Sequence, residues 1–136
     1  MDNSEPVILY VEDDSFSRQV MEFLLVRGMN FQSVTIFDTS EDFMNKLVAL
    51  PEQPELIFLD IHMQPFDGFQ LLAMLRAHAD YQSARIVALT ASVMNDEVDQ
   101  LRQAGFDGVL AKPIDQSTFP DSIQRILNGE RIWNVT

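Results

Sequence analysis

The segment LIFLDIHMQP, residues 56–65, decides the fold. Four consecutive apolar residues, 56–59, run directly into Asp60. A short, continuous apolar run is typical of a strand that is buried on both faces, as strands are in parallel sheets. A carboxylate is costly to bury without partners. Its position at the end of such a strand therefore indicates an unusual environment.

Strands and helices alternate along the rest of the chain. The predicted strands are 7–11, 33–37, 56–60, 85–90 and 108–111. The apolar positions at helical spacing are Phe16, Val20, Phe23 and Leu24; Phe43, Leu47 and Leu50; Phe69, Leu72 and Leu75; Val98, Leu101 and Ala104; and Phe119, Ile123, Ile126 and Leu127. Five strands alternating with five helices predict an α/β domain whose parallel sheet is covered on both faces.

Capping signals limit these helices. Gly28 and Gly105 predict the ends of the first and fourth helices. Thr39 or Ser40 is expected to cap the second helix, and the third opens at Asp67.

Composition excludes several classes of protein. The chain has 136 residues, 46% of them hydrophobic and 22% charged, and it contains no cysteine. Thiolate chemistry, disulfides and cysteine-ligated metals are therefore excluded. The formal net charge of −12 argues against nucleic acid or an anionic membrane as the direct partner.

Hydropathy predicts a cytoplasmic location. No apolar run approaches the roughly 20 residues that span a bilayer. Residues 1–6 are polar and acidic and lack the basic start of a signal peptide. A cytoplasmic protein of bacterial type is expected.

Polar side chains follow four of the predicted strands. They are Glu12, Asp13 and Asp14 after the first strand, Asp60 at the end of the third, Thr90 with Ala91 and Ser92 at the fourth, and Lys112 with Pro113 at the fifth. Each feature alone fits an ordinary turn, helix cap or surface position. Parallel sheets bind ligands outside the carboxyl ends of their strands, however, and the coincidence of all four favours a functional site.

The chemistry of this set points to phosphoryl transfer. Neighbouring carboxylates repel each other, and Mg²⁺, which prefers oxygen ligands, relieves that repulsion. A carboxylate can be the nucleophile that accepts a phosphoryl group. Asp60 is the natural nucleophile, and Lys112 and Thr90 are suitable partners for the phosphoryl oxygens.

Four blocks of sequence resemble the response-regulator receiver domains of two-component signalling. They are ILYVEDDSFSR (8–18), LIFLDIHMQPFDGF (56–69), ALTA (88–91) and GFDGVLAKPI (105–114). The resemblance covers roughly residues 7–128. It implies a flavodoxin-like sheet of five parallel strands in the order 2-1-3-4-5. Residues 1–136 are expected to form one receiver domain, with short polar tails at 1–6 and 129–136.

The resemblance assigns the acidic residues. Asp60 would be the phosphoacceptor and a metal ligand. Glu12 and Asp13 would form the acidic pair, with Asp13 binding Mg²⁺ directly, a register chosen because Arg18 falls five residues after Asp13. The backbone carbonyl of His62 would be a further ligand. Asp14 would be an extra acid that faces outward.

The resemblance also assigns the partners of the phosphoryl group. Thr90 would be the switch hydroxyl, with Ala91 beside it at the phosphate-binding position. Lys112 would pair with the phosphate, and the Lys112–Pro113 peptide bond is expected to be cis.

Two positions depart from the pattern of the family. Gln64 stands where a proline is usual, and Pro65 comes one residue later, which puts the loop geometry near His62 in question. Val109 stands where Tyr or Phe is usual, which puts the usual signalling response in question.

The expected function is signalling without turnover of a separate substrate. A histidine kinase or a histidine phosphotransfer protein would phosphorylate Asp60, and phosphorylation would change the binding of an unknown downstream protein to a monomer or weak dimer. Three alternatives stay open: a receiver of a hybrid histidine kinase, an unphosphorylated pseudo-receiver, and an aspartyl-phosphate phosphatase of haloacid-dehalogenase type. Phosphatases of the last class have a second aspartate two residues after the nucleophilic one, and the residue at that position here is His62.

Overall fold

A computed structural model describes residues 5–133. The strands are β1 (Ile8–Val11), β2 (Val34–Phe37), β3 (Leu56–Asp60), β4 (Arg85–Thr90) and β5 (Gly108–Ala111). They pair in parallel in the order β2-β1-β3-β4-β5. The predicted fold and strand order are confirmed, and β1 and β2 each begin one residue later than expected.

Five helices cover the sheet. They are α1 (Ser15–Glu22), α2 (Phe43–Val48), α3 (Gly68–Ala77), α4 (Asn95–Ala104) and α5 (Phe119–Leu127). A π-helical stretch, Phe23–Gly28, continues α1, and a short 3₁₀ turn, Ala79–Tyr81, follows α3. The buried residues form two clusters: α1 and α5 pack on one face of the sheet, and α2, α3 and α4 pack on the other. None of the helices within residues 5–133 is long and apolar enough to cross a membrane.

The central strand β3 brings the site together. All five of its residues are buried. Leu59 pairs with Val11 on one side and with Ala88 on the other, so the carboxyl ends of β1, β3 and β4 lie level. Residues that follow these strands therefore share one edge of the sheet.

The predicted apolar face of α1 is partly wrong. Phe16 and Phe23 are 68% and 55% exposed, and the buried residues of this helical segment are Met21, Leu24 and Leu25. Both sets have helical spacing, so periodicity alone did not distinguish them. The sheet buries the second set, to which α1 contributes Met21 and the π-helical stretch contributes Leu24 and Leu25.

The second and fourth helices also differ from expectation. Neither Thr39 nor Ser40 caps α2, which begins after Asp42, a residue with φ of 57°. Instead the buried Ser40 hydroxyl accepts a hydrogen bond from the Phe66 amide at 2.9 Å, which ties the two loops together. Leu50 lies beyond the end of α2.

In α4 the predicted buried face stops early. Val98 and Leu101 are buried, but Ala104 is exposed. Gly105, with φ of 112°, ends the helix as expected, and Phe106 supplies the next buried side chain.

The segment after α5 is more than a polar tail. Ile132 is buried and forms a parallel bridge with Gly108, and its carbonyl accepts the Val109 amide at 2.8 Å. A Cβ at Gly108 would lie 3.1 Å from the Ile132 carbonyl oxygen, so glycine permits this close approach. The Arg102 guanidinium of α4 lies 5.0 Å from the centroid of the Trp133 ring. Residues 1–4 and 134–136 of the predicted tails lie outside the described residues.

Candidate functional site

Three carboxylates meet at the carboxyl edge of β1 and β3. Glu12, Asp13 and Asp60 each offer an oxygen, and these oxygens lie within 4.8 Å of one another. Glu12 is fully buried, Asp60 is 4% exposed and Asp13 is exposed. An all-oxygen set with this concentration of negative charge fits a hard cation such as Mg²⁺, with Asp13 facing solvent.

Lys112 reaches this cluster from the end of β5. Its ammonium lies 2.9 Å from Glu12 Oε1 and 3.3 Å from Asp60 Oδ1. Burial acts to lower the pKa of Lys112, but the ion pairs with Glu12 and Asp60 outweigh it and raise that pKa. The lysine therefore stays charged. The Lys112–Pro113 peptide bond is cis, as predicted.

The pKa of Asp60 is raised to about 7. Burial is the main cause, and the neighbouring Glu12 adds to it, while Lys112 opposes the shift. Near neutral pH the Asp60 carboxyl therefore binds a proton more readily than an ordinary aspartate does, and a bound cation would favour its ionised form.

Thr90 and the residues after it lie at the carboxyl end of β4. Thr90 is buried at the end of β4, and its hydroxyl accepts the Ser92 amide at 3.1 Å. The Ser92 hydroxyl is hydrogen-bonded to Glu97 in the first turn of α4. Ala91 is exposed between them. The structure thus places Thr90 and Ala91 at the same edge as Asp60.

Asp14 and Arg18 connect the acidic segment to α1, and Asp14 faces outward as the resemblance implied. Asp14 faces outward as the N-cap of α1, where it accepts the Ser17 amide and hydroxyl, both at 2.8 Å. These two bonds lower the pKa of Asp14. Arg18 donates a hydrogen bond to the Glu12 carbonyl at 3.0 Å, which anchors the start of α1 to the end of β1.

The loop after β3 holds the departure from the family pattern. His62 is exposed two residues after Asp60, and the Gln64–Pro65 peptide bond is cis, which the sequence did not predict. The loop closes where the Gly68 amide donates to the Ile61 carbonyl at 3.0 Å. A Cβ at Gly68 would lie 2.8 Å from the Asp60 carbonyl oxygen, so only glycine fits here without a shift.

Sequence reasoning missed Tyr10. Its hydroxyl donates to Glu12 Oε1 at 2.6 Å inside the core. Burial, and then the bond to Glu12, raises the pKa of Tyr10 above its ordinary value, so the hydroxyl stays protonated. The available signal was spacing: residues two apart on a strand share a face, which places Tyr10 beside Glu12.

Comparison with known families identifies the family of this chain. The family described as the response regulator receiver domain matches residues 8–124. The chain belongs to the response regulator receiver family. Receivers are signalling modules of two-component systems, and they bind Mg²⁺ at an acidic site. Membership speaks against the phosphatase alternative, and His62 agrees.

Curated proteins from distant organisms are similar to this chain. A nitrate/nitrite response regulator homologue of Haemophilus influenzae is 34% identical over 92% of this chain and 58% of its own length. An ethylene receptor of Oryza sativa is 30% identical over 90% of this chain and 16% of its own length. The receiver spans about half the length of the first curated relatives.

Solved receiver structures share the fold. The receiver domain of a Pseudomonas aeruginosa sensor histidine kinase, described with magnesium in its active-site cleft, aligns with a TM-score of 0.77 at 24% identity. That alignment covers 93% of this chain and 100% of the other. A chemotaxis response regulator of Vibrio cholerae aligns with a TM-score of 0.79 at 21% identity, over 90% and 99% of the two chains.

Proposed function

We propose that this receiver accepts a phosphoryl group on Asp60 in a Mg²⁺-dependent reaction, and that phosphorylation changes its binding to a downstream protein. The observation that carries the proposal is the placement of Asp60. Its carboxylate ends the central buried strand, close to the acidic pair that follows β1 and to the ammonium of Lys112. A nucleophile, a cation site and a counter-charge thus lie within one edge of the sheet.

The transfer step is a displacement at phosphorus. One oxygen of Asp60 forms a bond to the phosphorus atom as the bond between phosphorus and the donor breaks. With acetyl phosphate the electron pair leaves on acetate, and with a phosphohistidine donor it returns to the imidazole nitrogen. The product is an acyl phosphate, which water can hydrolyse to regenerate the carboxylate.

The acidic residues would hold the metal. Asp13 and Asp60 are the direct carboxylate ligands in this proposal, with Glu12 completing the acidic set and the His62 carbonyl as a further ligand. Bound Mg²⁺ would offset the negative charge of the carboxylates and the phosphoryl oxygens.

Lys112 and the residues at the end of β4 would contact the phosphoryl oxygens. The Lys112 ammonium would exchange its ion pairs with the carboxylates for contacts with the phosphoryl oxygens. Thr90 would give up its bond with the Ser92 amide and donate to another phosphoryl oxygen, and the Ala91 amide would lie beside it. Each residue would then contact the transferred group.

A protein donor fits the surface beside the site. Phe16 lies in the first turn of α1, directly after the acidic segment, and is 68% exposed. A histidine kinase or histidine phosphotransfer protein could cover this ring while presenting its phosphohistidine. The net charge of −12 favours a protein over nucleic acid as the downstream partner. A cytoplasmic monomer or weak dimer, with residues 1–136 as one domain, completes the proposal.

A receiver belonging to a hybrid histidine kinase is the second candidate. Similarity to an osmosensing histidine protein kinase of Saccharomyces cerevisiae, 31% identical over 79% of this chain and 9% of its own length, favours it. The chemistry at Asp60 would be the same.

Phosphorylation can be tested with a small donor. The protein is incubated with acetyl phosphate and Mg²⁺, and its intact mass is recorded. We expect the mass of one phosphoryl group to be added, and no addition when EDTA removes the metal. Equal labelling in EDTA would contradict the metal dependence.

A further inference from the structure

The Tyr10 hydroxyl lies in the core of the protein, next to Glu12 of the acidic site. Tyr10 is 1% exposed, and its ring packs edge-on against Phe58 at a centroid distance of 6.5 Å. Phe58 belongs to β3, the strand that ends in Asp60. The ring is thus an ordinary part of the core, and phenylalanine would supply the same packing. The hydroxyl is the atom that needs a separate explanation.

That hydroxyl is one of three donors around a fully buried carboxylate. Glu12 Oε1 accepts the Tyr10 hydroxyl at 2.6 Å and the Lys112 ammonium at 2.9 Å. Glu12 Oε2 accepts the Asp14 amide at 3.3 Å. A buried carboxylate that loses a donor is destabilised, so each of these three bonds stabilises the Glu12 carboxylate, and the loss of one makes the others more important.

Lys112 is the donor that must leave. Its ammonium is shared between Glu12 and Asp60. A phosphoryl group on Asp60 adds negative oxygens that compete with Glu12 for this ammonium. As Lys112 turns toward them, Glu12 Oε1 keeps only the bond from Tyr10.

We infer that Tyr10 is a positioning residue of the phosphorylation site: its hydroxyl holds the buried Glu12 carboxylate in place and so releases Lys112 to the phosphoryl group. This role rests on the proposed function of Asp60. Tyr10 contacts neither the metal ligands Asp13 and Asp60 nor the transferred group. It acts through Glu12 and Lys112.

The test is the variant Tyr10→Phe, which keeps the ring and removes the hydroxyl. Phosphorylation by acetyl phosphate is followed by intact mass over time, across a range of Mg²⁺ concentrations, below the melting temperatures of all variants. Tyr81→Phe is the matched control, because Tyr81 is also buried but precedes β4, at the amino end of that strand.

We expect the maximal rate of Tyr10→Phe to fall about tenfold, the scale of one lost hydrogen bond to a charged group. The Mg²⁺ concentration at half-maximal rate should stay within about twofold of wild type, because Tyr10 contacts neither Asp13 nor Asp60, the direct carboxylate ligands in the proposal. Tyr81→Phe should label at the wild-type rate. A hydroxyl with a purely structural role would lower the melting temperature and leave the maximal rate unchanged.

Two outcomes overturn the role of Tyr10. One is a maximal rate of Tyr10→Phe equal to that of wild type, and the other is a shift confined to the Mg²⁺ requirement. In both, the wild type is labelled and the proposed function stands. A wild type that is not labelled would instead overturn the proposed function and this role with it.

A second measurement observes the Tyr10 hydroxyl in the wild-type protein, and a variant is used only to assign the signals. The protein is labelled with 3-fluorotyrosine, and the two signals are assigned with Tyr81→Phe. Beryllofluoride with Mg²⁺, a mimic of the phosphoryl group, should shift the Tyr10 signal and leave that of Tyr81 in place. An unmoved Tyr10 signal would overturn the inference.

Discussion

The Lys112 ammonium lies 3.3 Å from the Asp60 carboxylate and 2.9 Å from that of Glu12, so one cation serves two buried acids. Lys112→Met keeps much of the apolar stem and removes the charge. We expect phosphorylation by acetyl phosphate to slow at least about tenfold, because a charge-assisted hydrogen bond to the phosphoryl oxygens is lost. Intact mass over time measures this. Lys46→Met is the control, because Lys46 on α2 contacts Phe37 and the Thr39 carbonyl and not the carboxylates of the site. An unchanged rate in Lys112→Met would remove Lys112 from the site.

The raised pKa of Asp60, about 7, predicts a pH dependence of stability without metal. The pKa of an unfolded aspartate is about 3.9, so the folded protein binds the Asp60 proton more tightly than the unfolded chain does. The stabilisation is complete below that value and is lost as pH rises through about 7. At about 1.4 kcal/mol per unit, the loss is on the order of a few kcal/mol.

Urea denaturation in EDTA at pH 5 and pH 8 measures this loss. Wild type should lose more unfolding free energy between these two values than Asp60→Asn, which has no such proton. The same pH dependence in both proteins would show that other groups cause it. Mg²⁺ should restore stability at pH 8 in wild type, because it binds the ionised carboxylate.

Removing one acid should separate charge repulsion from metal binding. Asp13→Asn should melt higher than wild type without metal and respond less to Mg²⁺. A ligand at a hundredfold excess over its Kd stabilises the folded state by about 2.7 kcal/mol, which is the wild-type response expected at that excess of Mg²⁺. Thermal melts with and without Mg²⁺ measure both effects. Asp14→Asn is the matched control, since asparagine also caps helices and Asp14 faces outward. A full Mg²⁺ response in Asp13→Asn would show that Asp13 is not a ligand of the metal.

Val109 should limit the response of the β5 face. It is fully buried, its amide is bonded to the Ile132 carbonyl, and its short branched side chain has few rotamers. Backbone NMR with beryllofluoride and Mg²⁺ should show large shifts at Asp13, Asp60, His62, Thr90 and residues 91–95. Shifts at 108–110 and 119–127 should be small. Val109→Phe should enlarge them, and large wild-type shifts along α5 would contradict this role of Val109.

Local chemistry made part of the fold and site predictable. β3 is continuous in apolar residues and ends in Asp60, so both the buried strand and its reactive end can be read from one segment. The acidic segment and Lys112 were placed together because carboxyl ends of parallel strands share an edge.

Other features depend on packing between distant segments. Phe16 and Met21 both fit an apolar helical stripe, and only contact with the sheet selects Met21 for burial. Ile132 pairs with Gly108 through backbone atoms, which leave no pattern in the side chains. In the sequence Tyr10 is not distinguished from other aromatic residues in strands, and its hydroxyl has a role only because it lies beside Glu12.

The most direct test of the central claim is the intact mass of Asp60→Asn after incubation with acetyl phosphate and Mg²⁺. Wild type and Asp14→Asn, an outward-facing acid at the same edge, should each gain one phosphoryl group. Asp60→Asn should gain none, because an amide cannot form the acyl phosphate. Labelling of Asp60→Asn equal to that of wild type would contradict the assignment of Asp60 as the phosphoacceptor.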